Sequence, residues 1–324
     1  MQSVEGAASV GLSVSWVIGG HGTRMFSMKH PPIRTRERMV GAWSTGRGTG
    51  VGDPRYEGRR WVYTQLSGGT GGLSVGINLT PGRECDYRCR YCAVRKESTR
   101  EPEPIDGHLL ARELEATLES IRTGAVFRSP AYLRLPGDLR ALGQVLLSGE
   151  GEPTLCPNFL EVVETLIHAR ARGRHPFFRL ILETNGSGLD RAEVIEGIGH
   201  FTAHDEVWLK LDAGTGERFR QVNGAGIPFD RVLARILDLG RRRPVVIHSL
   251  FVKLDGHPPS ETEIAAYLHR LNDLRERGAV ISRVQITSVI RPPPDPECTP
   301  LPLGSLSEIA RRVRREVGID AEVF

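Results

Sequence analysis

Residues 84–96 read ECDYRCRYCAVRK and hold three of the chain's five cysteines, Cys85, Cys89 and Cys92. Thiolates with three and then two residues between them, on a polar stretch, suit a soft metal centre. Three such ligands hold three irons of a cubic cluster and leave the fourth iron open. Structural zinc wants four closed ligands. No further Cys or His lies close by, His108 being the nearest downstream. A redox pair of Cys89 and Cys92 is a third option, but it leaves Cys85 without a role.

What surrounds that loop is bounded by composition. The chain has 324 residues, 39% hydrophobic and 25% charged. That is an ordinary globular make-up, with length for one large domain or two small ones. Five cysteines, an odd number unevenly placed, do not make a secreted disulfide framework, and a reducing cytoplasm is the expected compartment. No apolar run approaches the roughly 20 residues of a membrane span. The start of the chain lacks the basic residues of a signal peptide. A net charge of +4 permits an anionic partner without demanding one.

Residues 1–56 are rich in Gly, Ser and Arg and show no regular period, so a flexible N-terminal extension is expected there. The stretch TGRGTGVGDPR (45–55) has neither a strand before it nor an amphipathic helix after it, which a phosphate loop requires. From residue 73 β-prone runs alternate with amphipathic ones. The expected strands are 73–79, 145–149, 178–184, 206–212, 245–252 and 284–289. Leu110, Leu114, Leu118 and Ile121 mark one helix face between them. Ser260 with Glu263, and Ser305 with Glu308, have the spacing of capping boxes. Six strands alternating with helices predict an α/β fold: a parallel sheet forming a partial (β/α)6 TIM-type barrel over 57–324.

In such a sheet chemistry belongs at the carboxyl ends of the strands. The cysteine loop follows the first expected strand. SGEGEPTL (148–155), ETNGSG (183–188), LKLDAGTG (209–216), FVKLDG (251–256) and SVIRPPP (288–294) follow the next five. Lys210 and Asp212 share one strand face, as do Glu183 and Asn185. Charged residues in an apolar strand need partners or water, so these pairs suggest a ligand site.

With its setting after a strand, CDYRCRYC resembles the C-x3-C-x-aromatic-C motif of the radical S-adenosylmethionine (radical SAM) superfamily, over roughly residues 73–292. The resemblance implies that Cys85, Cys89 and Cys92 ligate a [4Fe-4S] cluster whose fourth iron chelates S-adenosylmethionine, with Tyr91 against the adenine. The family's Gly-Gly-Glu element would map onto Glu150, Gly151 and Glu152, between Gly149 and Pro153, with Glu150 replacing the first glycine. The backbone and Glu152 would then meet the methionine ammonium. ETNG places Thr184 and Asn185 near the cofactor, LKLDA places Lys210 and Asp212 there, and Arg291 completes the pocket. SGEGEPTL and KLDA are most similar to the branch containing the tRNA wyosine-forming enzymes. The cysteines of that branch's second cluster are missing, since no cysteine precedes Cys85.

The implied activity is reductive cleavage of S-adenosylmethionine to a 5′-deoxyadenosyl radical that abstracts hydrogen from a substrate. That substrate would be a small molecule, a peptide or tRNA. An electron donor such as flavodoxin or ferredoxin is implied as partner. The alternatives are a non-catalytic iron–sulfur or zinc-binding protein, and an activating enzyme for a protein partner. Elsewhere, Cys156 reads as a buried thiol, Cys298 as a loop thiol near the site, and His248 as a core histidine. The arginines at 170, 172 and 174 and at 241–243 read as solvated helix ends.

Overall fold

The computed structural model describes residues 58–67, 72–94 and 101–324; the expected N-terminal extension and the TGRGTGVGDPR stretch lie outside them. The first half of the described chain runs β1 (Val62–Ser67), β2 (Gly72–Asn78), α1 (Gly107–Arg122), β3 (Leu142–Ser148), α2 (Phe159–Ala171) and β4 (Arg179–Thr184). It continues through α3 (Ala192–Gly199), β5 (Glu206–Lys210), α4 (Gly216–Asn223), α5 (Phe229–Arg242) and β6 (Val245–Leu250). The remainder is β7 (Val252–Leu254), α6 (Glu261–Glu276), β8 (Ile281–Thr287), β9 (Cys298–Pro300), α7 (Leu303–Arg312) and β10 (Ala321–Val323).

All six expected strands are present, within a few residues, as β2, β3, β4, β5, β6 and β8. They lie side by side in that order and pair in parallel. Two further strands extend the sheet: β1 antiparallel beside β2, and β10 parallel beside β8. The predicted run 245–252 is divided at Phe251, and its second part, β7, leaves the sheet to pair with β9. β1 opposes Tyr63 to Gly76. A Cβ at Gly76 would run into the Tyr63 ring, so a larger residue there would have to displace that ring.

The helices cover one face of the sheet. Leu110 and Leu114 of α1, Phe159 and Leu166 of α2, and Ile236 of α5 join Val145, Leu147, Leu180, Leu182, Val207 and Ile247 in one core. Burial of these side chains is the main stabilising term. On the opposite face Leu146, Ile181, Trp208 and Val246 form a separate buried cluster with no helical residue in it. Side chains two strands apart meet on this face: Tyr63 with Ser148, Glu206 with Arg283, and Glu183 with His248. Strands two apart in a flat sheet are about 9–10 Å apart, and these contacts suit a sheet curled inward on the face opposite the described helices.

Local signals are partly realised. Ser260 caps α6, its Oγ accepting from Glu263 N at 3.2 Å. The Glu263 carboxylate does not close the box; it accepts instead from Gly214 N (2.5 Å) and Thr215 Oγ1 (2.6 Å). Ser305 is not a cap, because α7 begins two residues earlier, after Pro302. Two arginines expected to be solvated are tied down. Arg170 is buried against Asp205, and Arg243 donates to the carbonyls of Ile198, Thr202 and Asp205. Among the described residues, no helix is long and apolar enough to cross a membrane.

Candidate active site

Parallel pairing brings the carboxyl ends of β2 to β6 and β8 to one edge, and the cysteine loop lies there. Its backbone is seated on both sides. Glu152 N donates to Glu84 O (2.7 Å) from the loop after β3. Arg88 N and Arg90 N donate to Asn223 O (2.9 Å) and Val222 O (2.8 Å) at the end of α4. Gly151 and Gly149 permit this approach: a Cβ on either would stand within 3 Å of Glu84 or of Asn78 and Thr80.

Cys85, Cys89 and Cys92 are all half-buried. Asn185 Nδ2 lies 3.7 Å from Cys85 Sγ, and Asn223 Nδ2 lies 3.5 Å from Cys89 Sγ. Burial pushes the Cys89 thiol up, with Asp212 acting the same way and Lys210 against it. Burial pulls the Lys210 ammonium down, but Asp212, Glu183 and the cysteines outweigh it and raise its pKa. Lys210 Nζ sits 5.1 Å from the centre of the Tyr91 ring.

Several residues expected to touch a cofactor make internal hydrogen bonds that brace the loops. Glu152 is buried, and its carboxylate accepts from Thr154 N (3.0 Å), Thr154 Oγ1 (2.6 Å), Asn185 N (2.8 Å) and Thr184 Oγ1. It thereby ties the loop after β3 to the loop after β4. Pro153 opens the short turn Pro153–Leu155 that presents the Thr154 donors. Asp212 accepts from Tyr91 Oη (2.5 Å), Asn223 Nδ2 (2.7 Å) and Leu250 N (2.8 Å). Tyr91 turns inward, packed with Val222, Val252, Leu254 and Cys298, rather than standing open beside the loop. Arg291 is exposed beyond β8 and joins none of these contacts. Cys298 is on a strand, β9, and buried; Cys156 is buried too, its thiol pushed up to about 11 by burial.

Glu150 differs from Glu152 in having a carboxylate oxygen with no internal donor among the described residues. Its Oε2 lies 3.2 Å from Arg83 Nε, while Oε1 is buried with no hydrogen-bond partner among the described residues. The curled face brings His248 to Glu183, one of the strand residues that the sequence singled out. His248 is a mostly buried histidine with a partner: its Nδ1 lies 3.2 Å from Glu183 Oε1, and its ring meets the Trp208 ring edge-on. Burial acts upward on the Glu183 carboxyl, but His248 and Lys210 hold it down to about 2. The apolar cluster around Trp208 lies deeper, with the Arg179–Glu206–Arg283 ion-pair network beneath it.

The loop also carries a clasp. Arg90, between Cys89 and Tyr91, donates to Asp255 through both Nη atoms (3.2 and 2.9 Å) and to Asp295 through Nε. Both carboxylates raise its pKa. Asn223 and this clasp were not anticipated from the sequence.

Fold and site define a class: α/β proteins that present a thiol loop, backed by amide donors, at the carboxyl ends of a parallel sheet. Residues 79–268, more than half of the chain, match the family model of the radical SAM superfamily. The chain belongs to that superfamily, whose members are enzymes using a [4Fe-4S] cluster and S-adenosylmethionine. A UPF0026 protein of Helicobacter pylori (strain ATCC 700392 / 26695) is 25% identical over 233 residues, covering 68% of this chain and 63% of the relative. A UPF0026 protein of strain J99 is 25% identical over 171 residues, covering 52% and 46%. The chain therefore spans less than two thirds of the length of these relatives.

Solved structures similar in fold include a radical SAM methyltransferase from Sphaerobacter thermophilus, with a TM-score of 0.57, 16% identity and coverage of 83% of this chain and 70% of that one. Streptococcus suis SuiB bound to S-adenosylmethionine gives 0.54 at 14% identity, covering 76% and 49%. TYW1 with a lysine-pyruvate adduct bound gives 0.51 at 17% identity, covering 75% and 73%.

The donor set fits the cluster. Among the described residues no three His, Cys, Asp or Glu side chains gather about one ion-sized point, as a single zinc ion would require. A cubane takes one thiolate per iron, so its ligands stand apart. The side-chain N–H groups beside Cys85 and Cys89 suit charged sulfurs.

Proposed function

We propose that this chain is a radical SAM enzyme that reductively cleaves S-adenosylmethionine and directs the product radical at a substrate C–H bond. The observation carrying this reading is the seating of Cys85, Cys89 and Cys92 at the strand ends, with Asn185 and Asn223 donating toward two of the sulfurs. The three cysteines would hold the cluster. When bound, the cluster and S-adenosylmethionine supply an electron and a 5′-deoxyadenosyl radical for hydrogen abstraction.

The protein's part is to bind, orient and exclude water. Glu150 Oε1, unpartnered among the described residues, and the backbone at Gly149 and Gly151 would receive the ammonium of the methionine moiety. Lys210, beside the loop, would take a carboxylate or ribose oxygen. Asp212, Glu152 and Thr184 would act through the loops they brace. A substrate would lie over the curled face, where Glu183 and His248 offer polar contacts above an apolar floor. Electrons would come from a one-electron carrier such as flavodoxin or ferredoxin.

The test is anaerobic reconstitution with iron and sulfide, addition of dithionite and S-adenosylmethionine, and assay of 5′-deoxyadenosine. Formation by the wild type and its loss in Cys89→Ala is the expected result. Uptake of zinc in place of iron, with no cleavage, would refute the reading.

A further inference from the structure

Asn223 ends α4, and the chain turns sharply after it. Gly224 takes a left-handed conformation (φ 52°), and a Cβ there would stand 2.8 Å from Arg88 O. Helix end and cysteine loop are thus in backbone contact, and the Asn223 side chain is directed at the loop. That side chain is 1% exposed. Its amide nitrogen lies 2.7 Å from Asp212 Oδ2, 3.5 Å from Cys89 Sγ and 3.4 Å from Tyr91 Oη. The orientation is determined, because an amide oxygen turned toward the Asp212 carboxylate would be repelled. Oδ1 accordingly faces away and has no partner among the described residues.

Resting on the functional reading above, we propose that Asn223 is a positioning residue that raises the reduction potential of the cluster held at Cys89. Two effects act in the same direction. An N–H donated to a ligand sulfur withdraws negative charge and favours the more negative, reduced cluster. The same amide, with Tyr91, hydrogen-bonds the buried Asp212 carboxylate and damps a negative charge next to that sulfur. Removing Asn223 loses the first effect and weakens the second.

The experiment is an EPR-monitored redox titration of the reconstituted full chain without turnover, with iron counted per chain. Asn223→Ala should titrate at a lower midpoint potential than wild type. Asn223→Leu keeps the volume but has no donor for Cys89 or Asp212, and should shift the midpoint in the same direction. An unchanged or higher midpoint in iron-loaded Asn223→Ala overturns the proposal, and iron counted per chain confirms that the titrated cluster is the loop's own. A wild-type chain that takes up no cluster would sink the functional reading instead, so the two failures are distinguishable.

Discussion

Replacing Gly151 by alanine should push the cysteine loop off its seat. The new Cβ would stand 2.7 Å from the Glu84 carbonyl carbon and 2.9 Å from its nitrogen, where ordinary contact begins at 3.4 Å. Moving 2.7 Å out to 3.4 Å requires Glu84, the residue before Cys85, to retreat by about 0.7 Å, and its carbonyl oxygen by more. That retreat breaks the 2.7 Å bond from Glu152 N to Glu84 O. Leaving those groups unpaired costs about 1–3 kcal/mol, and overpacking adds about 1–3 kcal/mol. At roughly 2–4 °C per kcal/mol for a domain near this size, the melting temperature should fall by on the order of 5–20 °C. Differential scanning fluorimetry measures that fall, and iron per chain after reconstitution measures the damage to the loop. Gly143→Ala is the control, since a Cβ there meets nothing within 4 Å. A Gly151→Ala chain that loads full iron and melts within about 2 °C of wild type would refute this account of the loop.

Asp205→Asn should destabilise the chain by about 3–5 kcal/mol at neutral pH, because it strips a buried partner from Arg170 and leaves N–H donors of Leu180 and Thr202 facing an amide. Burial raises the Asp205 carboxyl, but Arg170 and those N–H groups outweigh it and lower its pKa. The wild-type advantage in urea melts should therefore be full above about pH 4 and shrink as pH falls through the lowered folded value. Glu183→Gln should show the same sign. The carboxyl is held at about 2, so the stability gap to wild type narrows as pH drops from about 4 toward 2, read as converging melting temperatures. Iodoacetamide at neutral pH should alkylate Cys85 and Cys92 in the apo protein faster than Cys89 and spare Cys156 and Cys298; peptide mass mapping checks this.

The cysteine loop was legible because its information is local: three thiols within eight residues, placed after an apolar run. The six inner strands were legible for the same reason, since buried parallel strands read as continuous apolar segments. β1 escaped notice: an edge strand carries a weaker pattern, and its meaning lies in Tyr63 covering Gly76 of the next strand. The Ser305–Glu308 pair misled because its spacing matches a capping box, while Pro302 already sets the start of the helix. Arg170 and Arg243 look like any basic helix end until the neighbouring loop supplies Asp205 and three carbonyls. Asn223 was invisible for a stronger reason. Asn-Gly after a helical run signals only a helix end, and the sulfur it approaches is 134 positions earlier in the chain. Glu152 and Asp212 stand out in the sequence as carboxylates at strand ends, but the protein donors that their oxygens accept from come from distant loops and cannot be read there.

The Arg90 clasp bears on where this protein can be cut. The segment that marks the family ends at residue 268, but Asp295 lies beyond it, as do β8 and β10. A fragment trimmed to the recognisable segment would keep every cysteine of the motif and lose one jaw of the grip on the loop that carries them. It would also expose the flank of β6 where β8 pairs. The contacts that hold the loop thus reach beyond the signature that identifies it. Across descendants of this sequence, residues 90, 255 and 295 should change together or not at all.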